Sequence, residues 1–143
     1  MKSANEIVGL EFDWLASDAR GHVALFSTAG SGFAPDDFLR DTDAHDAALE
    51  AILTSPATTQ ARFAPELPPG LTNTWRLVAE RGLFAFDSDP NGGPYRLVAA
   101  PVSPVLAADL PRSVVEVVSR LQLRGVHFEI DSQIPTELLA NDS

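Results

Sequence analysis

The residues of this chain best placed to do chemistry are two carboxylates near the N-terminus. Glu11 and Asp13 alternate with large apolar residues, so an extended chain puts both acids on one face, about 7 Å apart. Carboxylates at this spacing are able to act as a coupled acid and base, or to form an acidic binding edge. Most such strand faces simply meet water, and the sequence leaves these interpretations open.

The loop at residues 27–32, sequence STAGSG, is the second chemical candidate, because its backbone N–H groups could cradle an anion. It lacks the Gly-Lys-Ser/Thr of a phosphate loop, the G-x-G-x-x-G of a dinucleotide site and the G-x-S-x-G elbow of a hydrolase. Ser27 and Ser31 therefore have no local support as nucleophiles. A tight exit from a strand is the favoured interpretation.

Histidine is the third candidate, and the chain has three, each in a different predicted element. His45 lies close in sequence to Asp41, Asp43 and Asp46, which together form a mixed set of potential metal ligands. On a helix these side chains point in several directions, and the chain has no His-x3-His pair. The acids fit a solvated helix start better, because the helix dipole favours them there.

The segment at residues 87–92, sequence DSDPNG, opens like a calcium-binding loop with alternating oxygen ligands. The match then fails, because Val98 stands where the bidentate glutamate should be and Pro90 stiffens the loop. Asp, Asn and Gly at these positions are typical of a turn. The sequence therefore predicts no metal site and no cofactor.

Length and composition are typical of one small domain. A chain of 143 residues is long enough for a hydrophobic core, so we expect residues 1–143 to form a single domain. The absence of cysteine excludes disulfides, thiolate metal sites and a cysteine nucleophile. No apolar stretch has the length of a signal peptide core or a membrane span, and we expect a cytoplasmic protein of bacterial type.

The charge is acidic and unevenly distributed. A formal net charge of −10 repels a phosphate backbone, so no nucleic-acid partner is predicted. Residues 1–55 carry ten acidic and three basic residues, a net −7, whereas residues 56–143 carry a net −3. This excess either keeps the protein soluble or steers a basic protein partner. The candidate partner-binding residues are Glu11, Asp13, Asp36, Asp37, Asp41 and Asp46.

Hydrophobic periodicity predicts the elements that would position these residues. Alternation over residues 8–16 predicts a half-buried strand, and residues 22–28, apolar on both faces, predict a more central partner strand. A broken helical segment is predicted over residues 35–54, with Asp43 as the N-cap of its second part. Residues 55–71 lack periodicity and predict a long loop.

The C-terminal half contains five further predicted elements. Thr72 or Thr74 is expected to cap the first of them, and Pro111 suits the first turn of a later helix. In chain order, these elements are a short helix ending at Gly82, strands at 83–87 and 95–99, a helix at 110–121, and a last strand at 126–131.

The predicted fold class is α+β, with a mainly antiparallel sheet of about five strands and two or three helices on one face. The core is expected to consist of the apolar residues that are in phase with these patterns. They are Leu10, Phe12, Trp14, Val23, Leu25, Leu49, Ile52, Trp75, Leu83, Leu97, Val114, Val118, Leu121 and Phe128.

Three stretches of the chain carry a resemblance to a known class of proteins. Residues 12–32, 81–87 and 95–101, about a quarter of the chain, resemble small uncharacterised bacterial proteins of the polymorphic-toxin immunity type. The shared motifs are structural rather than chemical, and no toxin-contacting residue carries over. The resemblance implies a cytoplasmic, non-enzymatic protein that binds and blocks a cognate toxin.

Two functional hypotheses follow from the sequence. In the first, the chain is a protein-binding module whose acidic N-terminal half meets a basic, toxin-like partner. In the second, it is a small enzyme or ligand-binding protein with a pocket between the loops at 30–34 and 55–71. An enzyme needs convergent polar groups in a cleft, with shifted pKa values, whereas a binder needs only a complementary surface. The sequence predicts neither the partner's identity nor the oligomeric state.

Overall fold

The structure is a computed structural model that describes residues 12–28, 33–63, 73–88 and 94–139. Within these ranges, strands and helices follow one another singly or in pairs. The strands are β1 (Asp13–Asp18), β2 (Val23–Ser27), β3 (Ala61–Arg62), β4 (Phe84–Ser88), β5 (Tyr95–Pro101), β6 (Gln122–Leu123) and β7 (Gln133–Ile134). The helices are α1 (Asp36–Arg40), α2 (Thr42–Leu53), α3 (Thr74–Ala79), α4 (Arg112–Ser119) and α5 (Thr136–Leu139).

The described strands form one mixed sheet of seven strands. Its order is β3-β5-β4-β2-β1-β6, and β7 pairs with β5 beside β3. The hairpins β1–β2 and β4–β5 are antiparallel, as predicted, but β2 pairs with β4 in parallel and so does β1 with β6. The prediction of a mainly antiparallel, five-stranded sheet is therefore wrong, although the central place of β2 is confirmed.

Both faces of the sheet are buried, because side chains alternate along each strand. Leu15, Val23 and Leu25 pack on one face against α2, α3 and α4. Trp14 and Phe26 pack on the other against α1, α5 and the segment 121–128. The predicted two or three helices on one face are present as α2, α3 and α4, and the structure adds α1 and α5 on the other face. Residues 8–11 of the strand predicted at 8–16 lie outside the described ranges, and the half-buried pattern is wrong for β1, because residues 14–18 are buried on both sides.

The broken helical segment predicted at 35–54 is confirmed, and its break lies at Asp41. The Asp41 carboxylate accepts a hydrogen bond from the Ala44 N–H at 3.0 Å and caps α2. The predicted cap, Asp43, lies instead in the first turn. In the same way, Asn73 rather than Thr72 or Thr74 caps α3, through the N–H of Arg76.

The strand predicted at 126–131 is wrong, because these residues form turns. Val126 and Phe128 are buried as the alternation predicts, whereas Ile130 is exposed. Carboxylates accept two of the N–H groups that a neighbouring strand would otherwise bind. The N–H of His127 donates to the Asp131 carboxylate, and the N–H of Phe128 donates to Asp18. The loop predicted at 55–71 also contains β3, and its residues 64–71 lie outside the described ranges.

Candidate functional site

The α1–α2 segment carries five exposed acidic residues, among them three of the predicted partner-binding residues. On α2, Asp43, Asp46 and Glu50 are exposed and follow helical spacing, so they share one outward side of the helix. Asp36 on α1 and the capping Asp41 are exposed beside them in the chain. We call Asp36, Asp41, Asp43, Asp46 and Glu50 the acidic face.

Packing of α1 on α2 holds the two parts of the acidic face together. Phe38 and His45 are both buried, and their rings meet edge to face with centroids 5.0 Å apart. This contact leaves the polar residues of both helices to point outward. Helix α2 contains three acidic residues, Asp43, Asp46 and Glu50, and no lysine or arginine.

Asp37 was predicted to belong to the same surface, but the structure gives it another role. Its carboxylate is mostly buried and lies 3.9 Å from Nη1 of Arg40 and 3.6 Å from Nε of Arg120. Arg120 follows α4, so this ion pair ties the start of α1 to the end of α4. Asp37 therefore positions the helices instead of presenting a free charge to a partner.

Asp13 also lies apart from the acidic face. Its Oδ1 accepts a 2.7 Å hydrogen bond from Oγ of Ser27. The Ser27 Oγ in turn accepts a 3.0 Å hydrogen bond from Nε1 of Trp75. The strand face of Asp13 is the one that carries Leu15 and meets the helices, so the predicted open carboxylate edge is wrong at this residue. Glu11 lies outside the described residues.

Ser27 has a carboxylate neighbour but not the geometry of a nucleophile. Its hydroxyl donates to Asp13, and the indole of Trp75 occupies its acceptor side. An activated serine needs a general base that is itself oriented by a third group. Among the described contacts of Ser27 there is no histidine, so this trio acts as a hydrogen-bonded strut between the hairpin and α3. The rest of the loop, residues 29–32, lies outside the described ranges.

His45 is a buried group with a strongly altered acidity. Its Nδ1 accepts a 3.1 Å hydrogen bond from the N–H of Leu15, which assigns the proton of the neutral ring to Nε2. Burial, and then the positive charge of Arg120, lowers the pKa of His45 from 6.5 to about 4, against an opposing effect of Asp41. The ring is therefore neutral at pH 7 and serves as a fixed acceptor for β1.

Asp18 is a buried carboxylate that holds two turns together. Its Oδ1 accepts hydrogen bonds from the N–H groups of Arg20 and His22 at 2.9 and 3.0 Å. Its Oδ2 accepts a 2.8 Å hydrogen bond from the N–H of Phe128. Nδ1 of His22 is 3.7 Å from Asp18 and 3.6 Å from Glu129, too far for a hydrogen bond to either. The arrangement is a structural clamp and not a catalytic pair.

We expect Asp18→Asn to lower the free energy of unfolding by about 2 kcal/mol, because an amide keeps one acceptor oxygen and turns its NH2 towards a backbone donor. Glu50→Gln is the matched control, since Glu50 is exposed and its carboxylate makes no described hydrogen bond. Urea unfolding followed by fluorescence measures both variants. Equal stability of the two variants would show that the clamp contributes nothing.

Most of the predicted pocket between the loops at 30–34 and 55–71 lies outside the described ranges, because residues 30–32 and 64–71 are not among the described residues. Ser55, Pro56 and Thr58 line a cavity of about 440 Å³. Its other walls are Ile52, Arg81, Val105, Asp109, Leu110 and Pro111. Phe33 and Ala34 instead pack against the core on the opposite face of the sheet. Within the described ranges, no group of three or more His, Asp and Glu side chains is arranged to hold a metal ion.

Comparisons with known proteins add no relative. No family model, curated protein or solved structure matches the chain. In the part of the chain that the structure describes, no helix is long and apolar enough to cross a membrane. A second described cavity, of about 380 Å³, lies between the end of β1 and α4 and is lined by Ser17, Asp18 and Val118 among others.

Proposed function

We propose that this protein is a non-enzymatic, cytoplasmic protein-binding module of the immunity type, which engages a basic, toxin-like partner through the acidic face. The observation that carries the proposal is the exposure of Asp36, Asp41, Asp43, Asp46 and Glu50 along one short stretch of chain. The resemblance of the two hairpins to immunity-type proteins supplies the class of partner.

Electrostatics supports a role in association. Residues 33–53 contain six acidic residues and one arginine, so half of the chain's net charge of −10 comes from this segment. A patch of one sign raises the association rate with an oppositely charged protein and disfavours wrong partners. The same charges contribute little to folding, since exposed ion pairs are worth less than about 1 kcal/mol.

The chemistry of the remaining candidates supports a binding role over catalysis. His45 is neutral and has its Nδ1 bonded to the backbone of β1, and Asp18 is saturated by backbone N–H groups. Ser27 donates to Asp13 beneath the Trp75 indole. Each of these groups has a structural partner where an active site would need a substrate.

The test uses a triple variant of the acidic face, Asp43→Asn, Asp46→Asn and Glu50→Gln. A partner captured from the native host with the wild-type protein is identified, purified and mixed with each variant in a stopped-flow instrument at two ionic strengths. We expect the triple variant to associate about three- to tenfold more slowly at low salt, with a weaker salt dependence.

The matched control is Glu116→Gln, Glu129→Gln and Glu137→Gln, which changes three exposed acidic residues elsewhere on the protein. Each triple variant takes the formal net charge from −10 to −7, so only the position of the lost charge differs. Equal association rates for the two triple variants would contradict the acidic face. A partner that binds equally fast at both salts would contradict electrostatic steering altogether.

A further inference from the structure

The cavity beside the C-terminal end of α2 is built from three separated parts of the chain. Its walls come from the end of α2 and the turn after it, from the turn after α3, and from the segment before α4. The lining residues are Ile52, Ser55, Pro56, Thr58, Arg81, Val105, Asp109, Leu110 and Pro111. The volume, about 440 Å³, falls within the range of small-molecule sites. Ile52 and Leu110 also belong to the helix-side core, which gives the cavity an apolar floor.

The walls of the cavity are held firmly by backbone contacts. The N–H of Val105 donates to the carbonyl of Gly82 at 3.1 Å, and the N–H of Thr58 donates to the carbonyl of Glu80 at 2.8 Å. Gly82 has φ +93, and a Cβ there would lie 2.7 Å from the Val105 side chain. Only glycine allows this close approach, so the segment around 105 is anchored directly beside Arg81.

Arg81 is the cationic group of the cavity, and its guanidinium is fixed in place. Nε donates to the carbonyl of Ser55 at 2.8 Å, and Nη1 donates to the carbonyl of Leu77 at 2.8 Å. A guanidinium has five N–H donors, so three remain, including both on Nη2. Two hydrogen bonds to neutral carbonyls orient the group without neutralising its charge.

Arg81 forms no ion pair with any residue that the structure describes. By contrast, four other arginines of the described residues each lie within 4 Å of a carboxylate. They are Arg40, Arg76, Arg112 and Arg120. An oriented, half-buried guanidinium with spare donors is the arrangement that proteins use to bind carboxylates and phosphates.

We propose that this cavity is a binding site for a small organic monocarboxylate, with the carboxylate on Arg81 and an apolar body against Ile52, Val105 and Leu110. The apolar lining favours a carboxylate with a hydrocarbon tail over inorganic phosphate. Phosphate carries more charge, and an apolar wall would remove its hydration shell without replacing the lost hydrogen bonds. This site is independent of the acidic face and stands whether or not the protein partner exists.

The rim of the cavity carries one opposing charge. Asp109 is exposed and lines the cavity, and its Oδ2 accepts a long, 3.4 Å hydrogen bond from the N–H of Leu106. A carboxylate ligand on Arg81 is repelled by this second carboxylate. Neutralising Asp109 is therefore expected to strengthen binding, an effect opposite to that of neutralising Arg81.

The test compares 4-methylpentanoate with 4-methylpentanamide, two probes of similar shape that differ in charge. Binding to the full chain is followed by NMR, using the Nε–H resonance of Arg81 and the backbone amides of residues 55–58 and 105–110. We expect saturable shifts of these signals with the carboxylate and at least about tenfold weaker binding of the amide, since a charge-assisted pair replaces a neutral one.

Variants separate binding from folding. Thr58→Trp leaves Arg81 intact but fills the cavity, and we expect it to abolish the carboxylate shifts. Asp109→Asn should bind the carboxylate a few-fold more tightly, and Arg81→Gln at least about tenfold more weakly. Arg76→Gln is the matched control, because Arg76 lies on α3 five residues before Arg81, pairs with Glu80 and does not line the cavity.

Some results would overturn the site. These are equal binding of the acid and the amide, shifts confined to other regions of the protein, or unchanged binding in Thr58→Trp. Inorganic phosphate that binds at this cavity more tightly than 4-methylpentanoate would overturn the ligand class. Absence of any saturable shift up to the solubility limit of the carboxylate would also refute the proposal.

Discussion

Replacing Trp14 with alanine is expected to lower the free energy of unfolding by about 3–5 kcal/mol. The indole is fully buried, stacks on Phe26 with centroids 4.2 Å apart and meets Tyr95 edge to face. Its Nε1 also donates to the Tyr95 hydroxyl at 3.2 Å. Removing the ring leaves a cavity in the middle of the sheet and an unmet hydrogen-bonding group. Urea unfolding followed by circular dichroism measures the loss.

Trp14→Phe is the informative companion variant. A phenyl ring keeps most of the stacking on Phe26 and loses the donor to Tyr95, so we expect a smaller loss, about 1–2 kcal/mol. The hydroxyl of Tyr95 still donates to the carbonyl of Phe33 at 2.7 Å. If Trp14→Ala stayed within about 1 kcal/mol of the wild type, the role of this aromatic cluster as the main core would be wrong.

The second large effect is a loss of stability in acid that originates at His45. The pKa of His45 is about 4 in the folded protein, against 6.5 for an unperturbed histidine. Above pH 6.5 both the folded and the unfolded chain hold a neutral ring, and the full stability is present. As the pH falls from 6.5 to 4, only the unfolded chain binds the proton, so stability is lost. The total loss is roughly 3 kcal/mol, at 1.36 kcal/mol per pH unit.

His45→Asn tests this assignment, because the amide oxygen can accept the hydrogen bond from Leu15 and does not titrate. The free energy of unfolding is measured at intervals between pH 7 and pH 4 for the wild type and the variant. We expect a flatter pH dependence in the variant, whatever its stability at pH 7. His127→Gln, which removes a half-buried histidine elsewhere, should keep the steep dependence. Equal slopes in wild type and His45→Asn would contradict the prediction.

Local sequence signals predicted most of the secondary structure. The two antiparallel hairpins, the break between α1 and α2 and the helix after Pro111 all follow from periodicity and capping within a few residues. The N-caps were misplaced by one or two positions at Asp41 and Asn73, because several neighbouring residues offer the same side-chain acceptor. Core residues such as Trp14, Leu25 and Val118 were predicted correctly for the same local reason.

Contacts between distant segments account for the errors. The parallel pairs β2–β4 and β1–β6 bring together strands that no turn connects, and nothing in either strand alone specifies its neighbour. Residues 126–131 have the alternation of a strand but form turns, since the carboxylate of Asp18 takes the N–H of Phe128. That bond crosses more than a hundred positions in the chain, so it leaves no local pattern.

The candidate sites divide in the same way. Exposure of Asp36 and Asp46 follows from their places on α1 and α2, and exposure of Asp41 follows from its capping position between them. The local sequence was sufficient to predict the broken helical segment, the acidic charge and the two hairpins. The ion pair of Asp37 with Arg120 depends on how α1 packs against the end of α4. The Arg81 cavity likewise forms only where three distant segments meet in the folded protein. Periodicity and capping act over a few residues, whereas ion pairs and cavity walls depend on which distant segments the folded chain brings together.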